Sequence, residues 1–460
     1  MQHNRRLFFW ALTSALAGFL FGFDTIVISG AEQRIQELWN LSSFWHGLNM
    51  SAALWGTVIG SLLGGWPTEK FGRRRTLLSI GMLYFVSAVG SGIAPNSLFF
   101  MISRVIGGLG VGVATVASPL YISEISPASR RGHLAGLFQF NIVFGILVAF
   151  ASNFILGKYL NPEIAWRWMM GVEAIPALFY SLFCFSLPES PRWLITHARK
   201  RDAGIEVFRR INPDMPEAEL QALADSVEQS AGDRTTPVKF FTKRLKTPIM
   251  LAFLVAFFNQ LSGINAILYF APRIFEWTGL GKQAALLQSV GIGVTNLAFT
   301  YVGLYLIDKL GRRTLLYIGS FGYIVSLGLC AWAFKVENYA IVPACIFAFI
   351  AAHAIGQGTV IWVLISEIFP NRNRASGQAL GSFTHWFFAA SLTFVFPVAV
   401  AALNRSHPAA VDSTTGINPI VPTMIFGFFC FMMVLQLIWV KTMVPETKGV
   451  ALEDMQEHLK

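Results

Sequence analysis

The sequence predicts an all-α membrane protein with twelve transmembrane helices in two pseudo-symmetric six-helix bundles. Three observations support this fold class. Hydrophobic residues make up 54% of the 460-residue chain, more than a soluble domain carries. They fall into about twelve apolar stretches, each near the ~20 residues that cross a bilayer as a helix. Two charged patterns also occur twice, about 240 positions apart.

The apolar stretches set the order of the predicted spans. The first stretch is too long for the core of a signal peptide and lacks a small-residue cleavage site, so we expect it to be retained as a span. The predicted spans cover residues 8–30, 47–66, 76–94, 98–121, 134–155, 166–187, 248–271, 284–307, 314–334, 340–365, 376–403 and 419–443.

The repeated patterns lie between these stretches. Residues 69–75 read Glu-Lys-Phe-Gly-Arg-Arg-Arg, and residues 308–313 read Asp-Lys-Leu-Gly-Arg-Arg. Residues 123–127 read Ser-Glu-Ile-Ser-Pro, and residues 366–370 read Ser-Glu-Ile-Phe-Pro. Such a duplication is typical of carriers that rock two similar halves around a central site.

The repeat also places the domain boundaries. We predict an N-terminal six-helix bundle over residues 1–187, a linker over 188–246, a C-terminal six-helix bundle over 247–444 and a tail over 445–460. The linker contains helix-forming charged sequence, so we expect short amphipathic helices at the cytoplasmic face of the bundle.

The net charge of +10 could indicate nucleic-acid binding, but its placement argues against it. If the N-terminus is cytoplasmic, 27 Lys and Arg residues fall in the cytoplasmic loops, the linker and the tail, and only 7 fall outside. This is the positive-inside pattern of membrane proteins. The charge therefore predicts cytoplasmic termini and a lipid bilayer as partner, and no nucleic acid.

The cysteines indicate neither a disulfide framework nor a metal site. Cys184, Cys330, Cys345 and Cys430 all fall inside predicted spans, and none has metal-ligand spacing. The sequence also contains no evident nucleophile–base pair or nucleotide-binding loop. We therefore expect no cofactor and no metal, and a protein that is not an enzyme.

Three ionisable residues fall inside spans of the N-terminal half: Asp24, Arg104 and Glu173. A charge at the bilayer centre costs on the order of 2.5–3.5 kcal/mol on insertion scales, so these residues must face a wet cavity or one another. One interpretation is a static ion pair that joins helices. The other is a proton site, in which a change in the distance between Asp24 and Arg104 binds or releases a proton.

Taken together, several motifs resemble those of the sugar porter family of the major facilitator superfamily. They are the Gly-Arg-Arg clusters, Pro188-Glu-Ser-Pro-Arg, Gln260-Leu-Ser-Gly-Ile-Asn265 and Pro445-Glu-Thr-Lys-Gly. The resemblance covers essentially the whole chain. Within the family it is strongest to bacterial proton-coupled symporters, on the segments that begin at Gly22, Arg104 and Glu173.

The resemblance implies the major facilitator fold and transport of a sugar. It also implies that Asp24 and Arg104 form a proton-coupling site, with a modulating role for Glu173. Other interpretations of the same fold remain open: a facilitative uniporter, and a membrane sugar sensor that binds without net transport.

A second group of candidates consists of amides and aromatic rings within the spans. Amide side chains donate and accept hydrogen bonds, as sugar hydroxyls require, and an indole covers a C–H face. Gln260, Asn265 and Tyr269 are separated by five and four positions, so they share roughly one helical face. Interhelical hydrogen bonding is the alternative role. The candidate substrate-binding residues are Gln139, Asn259, Gln260, Asn265, Tyr269, Asn296, Gly358, Trp362, His385 and Trp386.

Three of these positions depart from the family pattern. Asn259 stands where relatives usually have the first of two glutamines, and His385 stands where the most similar bacterial proton-coupled symporter has glutamine. Gly358 is followed by threonine, where many relatives have proline. A changed hydrogen-bonding partner can shift substrate preference strongly, so these positions bear on which sugar is preferred.

The charged repeats also supply candidate residues at the cytoplasmic ends of the spans. The family pattern implies that arginines and carboxylates there form a latch that favours the outward-facing state; the alternative is that the arginines only set the topology. The candidate latch residues are Arg73, Arg74, Glu124, Arg131, Arg312, Arg313, Glu367 and Arg374.

These observations predict a secondary active transporter that carries a monosaccharide, a pentose or a hexose, by alternating access in symport with protons. Its partners are the sugar, protons and the lipid bilayer. We expect a monomer in the bacterial inner membrane.

Overall fold

The computed structural model describes residues 2–127, 131–232, 240–370, 373–407 and 418–449. Every regular element within these ranges is helical, which confirms the predicted all-α class. In each half of the chain, the end of the spans that carries a Gly-Arg-Arg loop, at Gly72 or at Gly311, is called the basic end.

The helices that precede the linker include long rods and short segments. They are α1 (Gln2–Val27), α2 (Glu32–Leu38), α3 (Ser43–Leu63), α4 (Gly65–Phe71), α5 (Arg73–Ile93), α6 (Ser97–Ile125), α7 (Arg131–Tyr159), α8 (Pro162–Gly171) and α9 (Ala174–Cys184).

The linker forms short helices, as predicted, and several apolar side chains from different linker helices pack together there, among them Ile205, Phe208, Leu220 and Ala224. The linker helices are α10 (Pro191–Thr196), α11 (Arg201–Ile211) and α12 (Glu217–Gly232).

The helices after the linker repeat the pattern of long rods interrupted by short segments. They are α13 (Lys246–Leu261), α14 (Ile264–Tyr269), α15 (Ala271–Glu276), α16 (Lys282–Leu310), α17 (Arg312–Lys335), α18 (Val342–Ile355), α19 (Gln357–Ile368), α20 (Arg374–Ser406) and α21 (Ile420–Met443).

Within the described residues, ten helical stretches are long and apolar enough to cross a membrane. Each coincides with a predicted span. The remaining two predicted spans, 47–66 and 166–187, fall on α3 and on the pair α8–α9. Polar residues such as His46 and Asn49 lower the hydropathy of α3, and α8 and α9 are interrupted between Gly171 and Ala174.

The chain forms two compact units. The first contains Met1–Asp24, Trp55–Ile146 and Met170–Val238, and the second contains Thr25–Leu54, Leu147–Met169 and Lys239–Lys460. These boundaries pass through α1, α3, α7 and α8. The domain boundaries at 187, 246 and 444 stay a prediction.

In the first unit, α1 lies close against α7 through glycine. A Cβ atom on Gly22 would lie 1.9 Å from the carbonyl oxygen of Ile142, so only a residue without a side chain fits. On another side of α1, the hydroxyls of Ser14 and Ser118 lie 3.0 Å apart, which joins α1 to α6. Asp24 lies in the last helical turn of α1, two residues after Gly22.

In the second unit, the span predicted over 248–271 is broken. Gly263 has φ +85°, a left-handed conformation that glycine adopts without strain, and it separates α13 from α14. A Cβ at this position would also lie 2.5 Å from the ring of Phe429. The prediction that Gln260, Asn265 and Tyr269 share one face assumed a continuous helix. The break changes their directions, and it is at such breaks that transporters build binding sites.

Candidate functional site

The Asp24–Arg104 pair is buried between α1 and α6 of the first unit. Arg104 Nη1 donates to Asp24 Oδ1 at 2.6 Å, and Arg104 Nη2 donates to the Asp24 backbone carbonyl at 2.6 Å. Their side chains are 0–1% exposed. Because a buried charge that loses its partner is left uncompensated, separating this pair costs about 3–5 kcal/mol unless a proton or water replaces the partner.

Several buried polar atoms near this pair have no hydrogen-bond partner among the described residues. They are Asp24 Oδ2, both carboxyl oxygens of Glu173, Arg104 Nε, the Tyr84 hydroxyl and Ser87 Oγ. Glu173 lies at the start of α9, beside the interruption after α8. Buried polar groups are nearly always bonded, so each of these atoms needs an explanation.

The charges of this cluster suggest what completes it. The buried carboxyl groups of Glu173 and Asp24 belong to one cluster, and two ionised carboxylates can only accept hydrogen bonds, so neither can satisfy the other. Two carboxylates also outweigh the single guanidinium of Arg104. One proton on the carboxylate pair would remove the excess charge and supply the missing donor. The arrangement is therefore chemically able to hold one exchangeable proton.

A second polar cluster lies in the second unit, around the break between α13 and α14. Gln260 Nε2 donates to Asn259 Oδ1 at 2.9 Å, and Asn265 Nδ2 donates to Gln260 Oε1 at 2.6 Å. The two nitrogens of the His385 ring lie 3.3 and 3.2 Å from Gln260 Nε2. Because these distances are nearly equal, the amide lies against the ring face and not along one nitrogen lone pair.

Two indoles complete this cluster. The ring centroids of Trp362 and His385 are 5.2 Å apart, and those of His385 and Trp386 are 4.7 Å apart. Asn259, Gln260 and Trp386 are buried. The structure thus brings together six of the ten predicted substrate-binding residues: Asn259, Gln260, Asn265, Trp362, His385 and Trp386.

The other four predicted residues lie elsewhere. Tyr269 is buried at the end of α14. Asn296, in α16, accepts a bond of 3.4 Å from the Thr300 hydroxyl. Gly358 lies in the first turn of α19, and Gln139 lies half-buried in α7 of the first unit. A substrate role for any of the ten residues stays a prediction.

At the basic end, arginine and glutamate pair in the same way in both halves of the chain. Arg73 donates through Nε and Nη2 to the two carboxyl oxygens of Glu124, both at 2.9 Å. Arg312 donates in the same forked geometry to Glu367, at 3.0 and 2.8 Å. The pairs are mostly buried, which distinguishes them from exposed pairs of little energetic value.

The other candidate latch residues have different surroundings. Arg74 Nη2 donates to the Phe185 carbonyl at 2.6 Å, and Arg313 Nη2 donates to the Lys441 carbonyl at 2.8 Å. The Arg131 side chain lies outside the described part of the structure. Arg374 Nε and Nη2 are buried without a hydrogen-bond partner among the described residues.

The prediction of site residues omitted two carboxylates at the basic end. Glu189 accepts bonds from the backbone N–H groups of Arg73 and Arg74, at 2.8 and 3.1 Å. Glu446 accepts bonds from those of Arg312 and Arg313, at 2.9 and 3.0 Å. Each carboxylate therefore caps the N-terminus of a long helix, where backbone donors are otherwise unpaired.

Glycine makes this capping possible. Gly72 and Gly311 both have φ +89°, and a Cβ on either would lie 2.4–2.5 Å from a carboxyl oxygen of Glu189 or Glu446. Burial raises the pKa of the Glu189 carboxyl above its usual 4.5, while the bonds from backbone N–H groups oppose that rise. The available signal in the sequence is the Pro-Glu dipeptide that follows the last predicted span of each half, at Pro188 and at Pro445.

The cysteines bear no sign of a metal site. Cys184, Cys330 and Cys345 are buried and Cys430 is half-buried, all with free thiols. The part of the chain that the structure describes contains no cluster of His, Cys, Asp and Glu that could hold a metal ion.

The broken spans, the buried ion pair and the repeated basic loops define a membrane transporter of two related halves. The sequence matches the family described as "Sugar (and other) transporter" over residues 10–459, and the chain belongs to that family. It is a multi-pass membrane transporter and not an enzyme.

Relatives of known name cover nearly the whole chain. The chain is 32% identical to the arabinose-proton symporter of Bacillus subtilis, over 96% of this chain and 93% of that protein. It is also 32% identical to the D-xylose-proton symporter of Escherichia coli, over 99% and 96%. A structure of the proton:xylose symporter XylE, of the major facilitator superfamily, bound to 6-bromo-6-deoxy-D-glucose, matches with TM-score 0.79 and 31% identity over 100% of both chains. The fold is therefore the major facilitator fold, with twelve transmembrane helices, as predicted.

Proposed function

We propose that this protein is a proton-coupled monosaccharide symporter of the bacterial inner membrane, with both termini in the cytoplasm. The Asp24–Arg104 pair beside Glu173 is the observation that carries this proposal. Relatives that carry arabinose or xylose with protons support it. The proposed orientation follows from the positive-inside distribution of Lys and Arg.

Asp24 and Glu173 are the proposed proton acceptors. With Arg104 bonded to Asp24 and one proton on the carboxylate pair, the buried cluster is neutral. The carrier can then change conformation while the cluster stays in a low-dielectric environment. When the proton leaves, the cluster regains a net negative charge, which favours a state in which water reaches it. Proton loading therefore biases the conformational equilibrium, as coupling requires.

The cluster around Gln260 is the proposed sugar site. Its amides and imidazole offer donors and acceptors to sugar hydroxyls, and the indoles of Trp362 and Trp386 supply flat apolar surfaces for a C–H face. The amides of Asn259, Gln260 and Asn265 bond to one another, so a sugar that replaces these bonds leaves few groups unpaired. A neutral ligand suits this cluster, which contains no carboxylate or cationic chain.

The pairs Arg73–Glu124 and Arg312–Glu367 are the proposed cytoplasmic latch. Each ties the start of a long helix, α5 or α17, to the end of another, α6 or α19. Because the same geometry recurs in both halves, we propose that it stabilises the closed cytoplasmic side of the outward-facing carrier.

Uptake by purified protein in proteoliposomes tests the proposed function. Labelled D-xylose, L-arabinose and D-glucose are offered with and without an imposed proton gradient, in the presence or absence of a protonophore. We expect at least one sugar to accumulate above equilibrium only when the gradient is present. Equilibration without accumulation would instead favour a uniporter, and binding without any flux would favour a sensor.

A further inference from the structure

A buried charged cluster lies at the opposite end of the spans from the basic end, within the second unit. Glu32 begins α2, His46 lies in the first turn of α3, and Arg273 lies in α15. Arg273 Nε donates to Glu32 Oε1 at 2.7 Å, and Arg273 Nη2 donates to Glu32 Oε2 at 2.8 Å. His46 Nε2 lies 2.8 Å from Glu32 Oε2. Neither the predicted proton site nor the predicted sugar site includes these residues.

The exposure of the three side chains differs. Glu32 and His46 are fully buried, whereas Arg273 is 22% exposed. Because an ionised carboxylate only accepts hydrogen bonds, the His46 proton lies on Nε2. Burial alone would raise the pKa of Glu32, but Arg273 and His46 together hold it below the usual 4.5. The carboxylate is therefore ionised and satisfied while this cluster is intact.

Neighbouring residues add to the connection between α2 and α15. Arg273 Nη2 also donates to Gln36 Oε1 at 2.7 Å, and Gln33 Nε2 donates to Glu276 Oε1 at 3.1 Å. The segment with α2 and α3 comes from the first half of the sequence, and α15 comes from the second. A transporter that alternates its access must separate such segments on the side that opens.

The position of α15 connects this cluster to the sugar site. The chain runs from Asn265 and Tyr269 in α14 to Arg273 in α15 within a few residues. Movement of α15 away from α2 would thus act directly on the segment that bears Asn265, a member of the proposed sugar site.

We propose that the Glu32–Arg273 ion pair, with His46, is a latch that holds the outer side of the carrier closed and separates when the carrier opens outward. The proposal rests on the proposed orientation and on alternating access, but not on proton coupling. In this proposal Glu32 and Arg273 do not contact the sugar; they hold α2 and α15 together in one stage of the transport cycle.

The surroundings allow the pair to separate. Arg273 lines a cavity of about 190 Å³ with Gln36, Ser43, Phe270 and Asn404, among others, so water can replace the carboxylate around the guanidinium. Glu32 keeps His46 as its partner, since both lie on the segment that carries α2 and α3. In the open state, each of the two charges therefore keeps either water or a hydrogen-bonding partner.

Pulsed electron–electron double resonance, which measures the distance between two spin labels, tests this proposal on the full-length protein in nanodiscs. Nitroxide labels are placed on Leu38→Cys and Lys282→Cys, both exposed positions of the second unit, after the four native cysteines are replaced. We expect Glu32→Gln and Arg273→Gln each to raise the long-distance population roughly tenfold relative to the short one. The double variant should show no larger change, because both substitutions remove the same interaction.

Arg34→Gln is the matched control, since Arg34 is half-buried and pairs with the exposed Glu37 on the same helix at 3.7 Å. It should leave the distances unchanged. Arg273→Lys keeps the charge but loses the forked geometry, so it should give a smaller shift and covers the case in which a neutral variant does not fold. Unchanged distances in folded Glu32→Gln and Arg273→Lys proteins would overturn the latch. The measurement needs neither sugar nor a gradient, so its failure is separate from failure of the proposed symport.

Discussion

The Glu189 carboxylate accepts a hydrogen bond of 2.8 Å from the backbone N–H of Arg73, the first residue of α5. Glu446 binds the backbone N–H of Arg312 at 2.9 Å, at the start of α17. The same construction thus appears in both halves of the chain. A carboxylate at a helix N-terminus satisfies free backbone donors and interacts favourably with the helix dipole.

Removing either cap should destabilise the protein. We expect Glu189→Ala and Glu446→Ala each to lower the free energy of unfolding by about 1–2 kcal/mol, the range for loss of a helix N-cap. Thermal unfolding in detergent measures the change. Glu69→Ala, at an exposed position of the same basic end, is the control and should have little effect. Caps whose removal costs no more than this control have no structural role.

The pairs Arg73–Glu124 and Arg312–Glu367 make a prediction about conformation. Glu367→Gln removes the carboxylate charge that pairs with the Arg312 guanidinium. Because a partly buried ion pair is lost, the outward-open population should fall several-fold. The rate at which an impermeant thiol reagent labels a cysteine in the sugar site from outside reports that population. Asp308→Asn is the control because Asp308 is 82% exposed, although it also contacts Arg312. Equal labelling rates in the wild type and both variants would leave the arginines with a topological role only.

The pH dependence of stability should report the Glu32 carboxylate. Its folded-state pKa is held below 4.5, so its stabilising contribution is present above that value and is lost as the pH falls through the folded pKa. The groups around it are Arg273, His46, Gln36 and Glu276. Unfolding midpoints of the wild type and Glu32→Gln, measured from pH 6 down to about pH 3, should therefore converge at the acid end. A difference that stays constant over this range would show that Glu32 is not ionised in the folded protein.

The sugar site predicts a set of affinity losses. Gln260→Ala, Asn265→Ala and Trp362→Ala should each weaken binding of the transported sugar by roughly 1–3 kcal/mol, the range for an orphaned hydrogen-bond partner. Calorimetry on purified protein measures this. Gln436→Ala is the matched control, because Gln436 is a buried amide that bonds Ser320 in the same unit. The site would be misplaced if all three variants bound the sugar as tightly as the control.

Much of the architecture could be predicted because it follows from composition and spacing. Apolar length predicts the spans, and the repeated Gly-Arg-Arg loops predict the two halves. The Asp24–Arg104 pair could be proposed because charges inside spans require partners, and the structure brings these two together.

Other features could not be predicted, for physical reasons. The break at Gly263 depends on a left-handed backbone conformation and on contact with Phe429, which is distant in sequence. The cluster of Glu32, His46 and Arg273 joins residues up to 241 positions apart and carries no repeated motif. The capping role of Glu189 depends on the three-dimensional position of the start of α5, which the Pro-Glu motif does not encode.

The central claim is that the carboxylate of Asp24 couples sugar movement to protons. Asp24→Asn keeps the size of the side chain and its hydrogen bond to Arg104 but removes the titratable group. Uptake into proteoliposomes under a proton gradient, compared with sugar exchange without a gradient, tests the claim most directly. A proton that crosses ~100 mV supplies about 2.3 kcal/mol, enough for roughly fiftyfold accumulation of a neutral sugar. We predict that Asp24→Asn loses accumulation and retains exchange and sugar binding. An Asp24→Asn protein that still concentrates the sugar like the wild type would contradict the account and place the coupling proton elsewhere, with Glu173 as the next candidate.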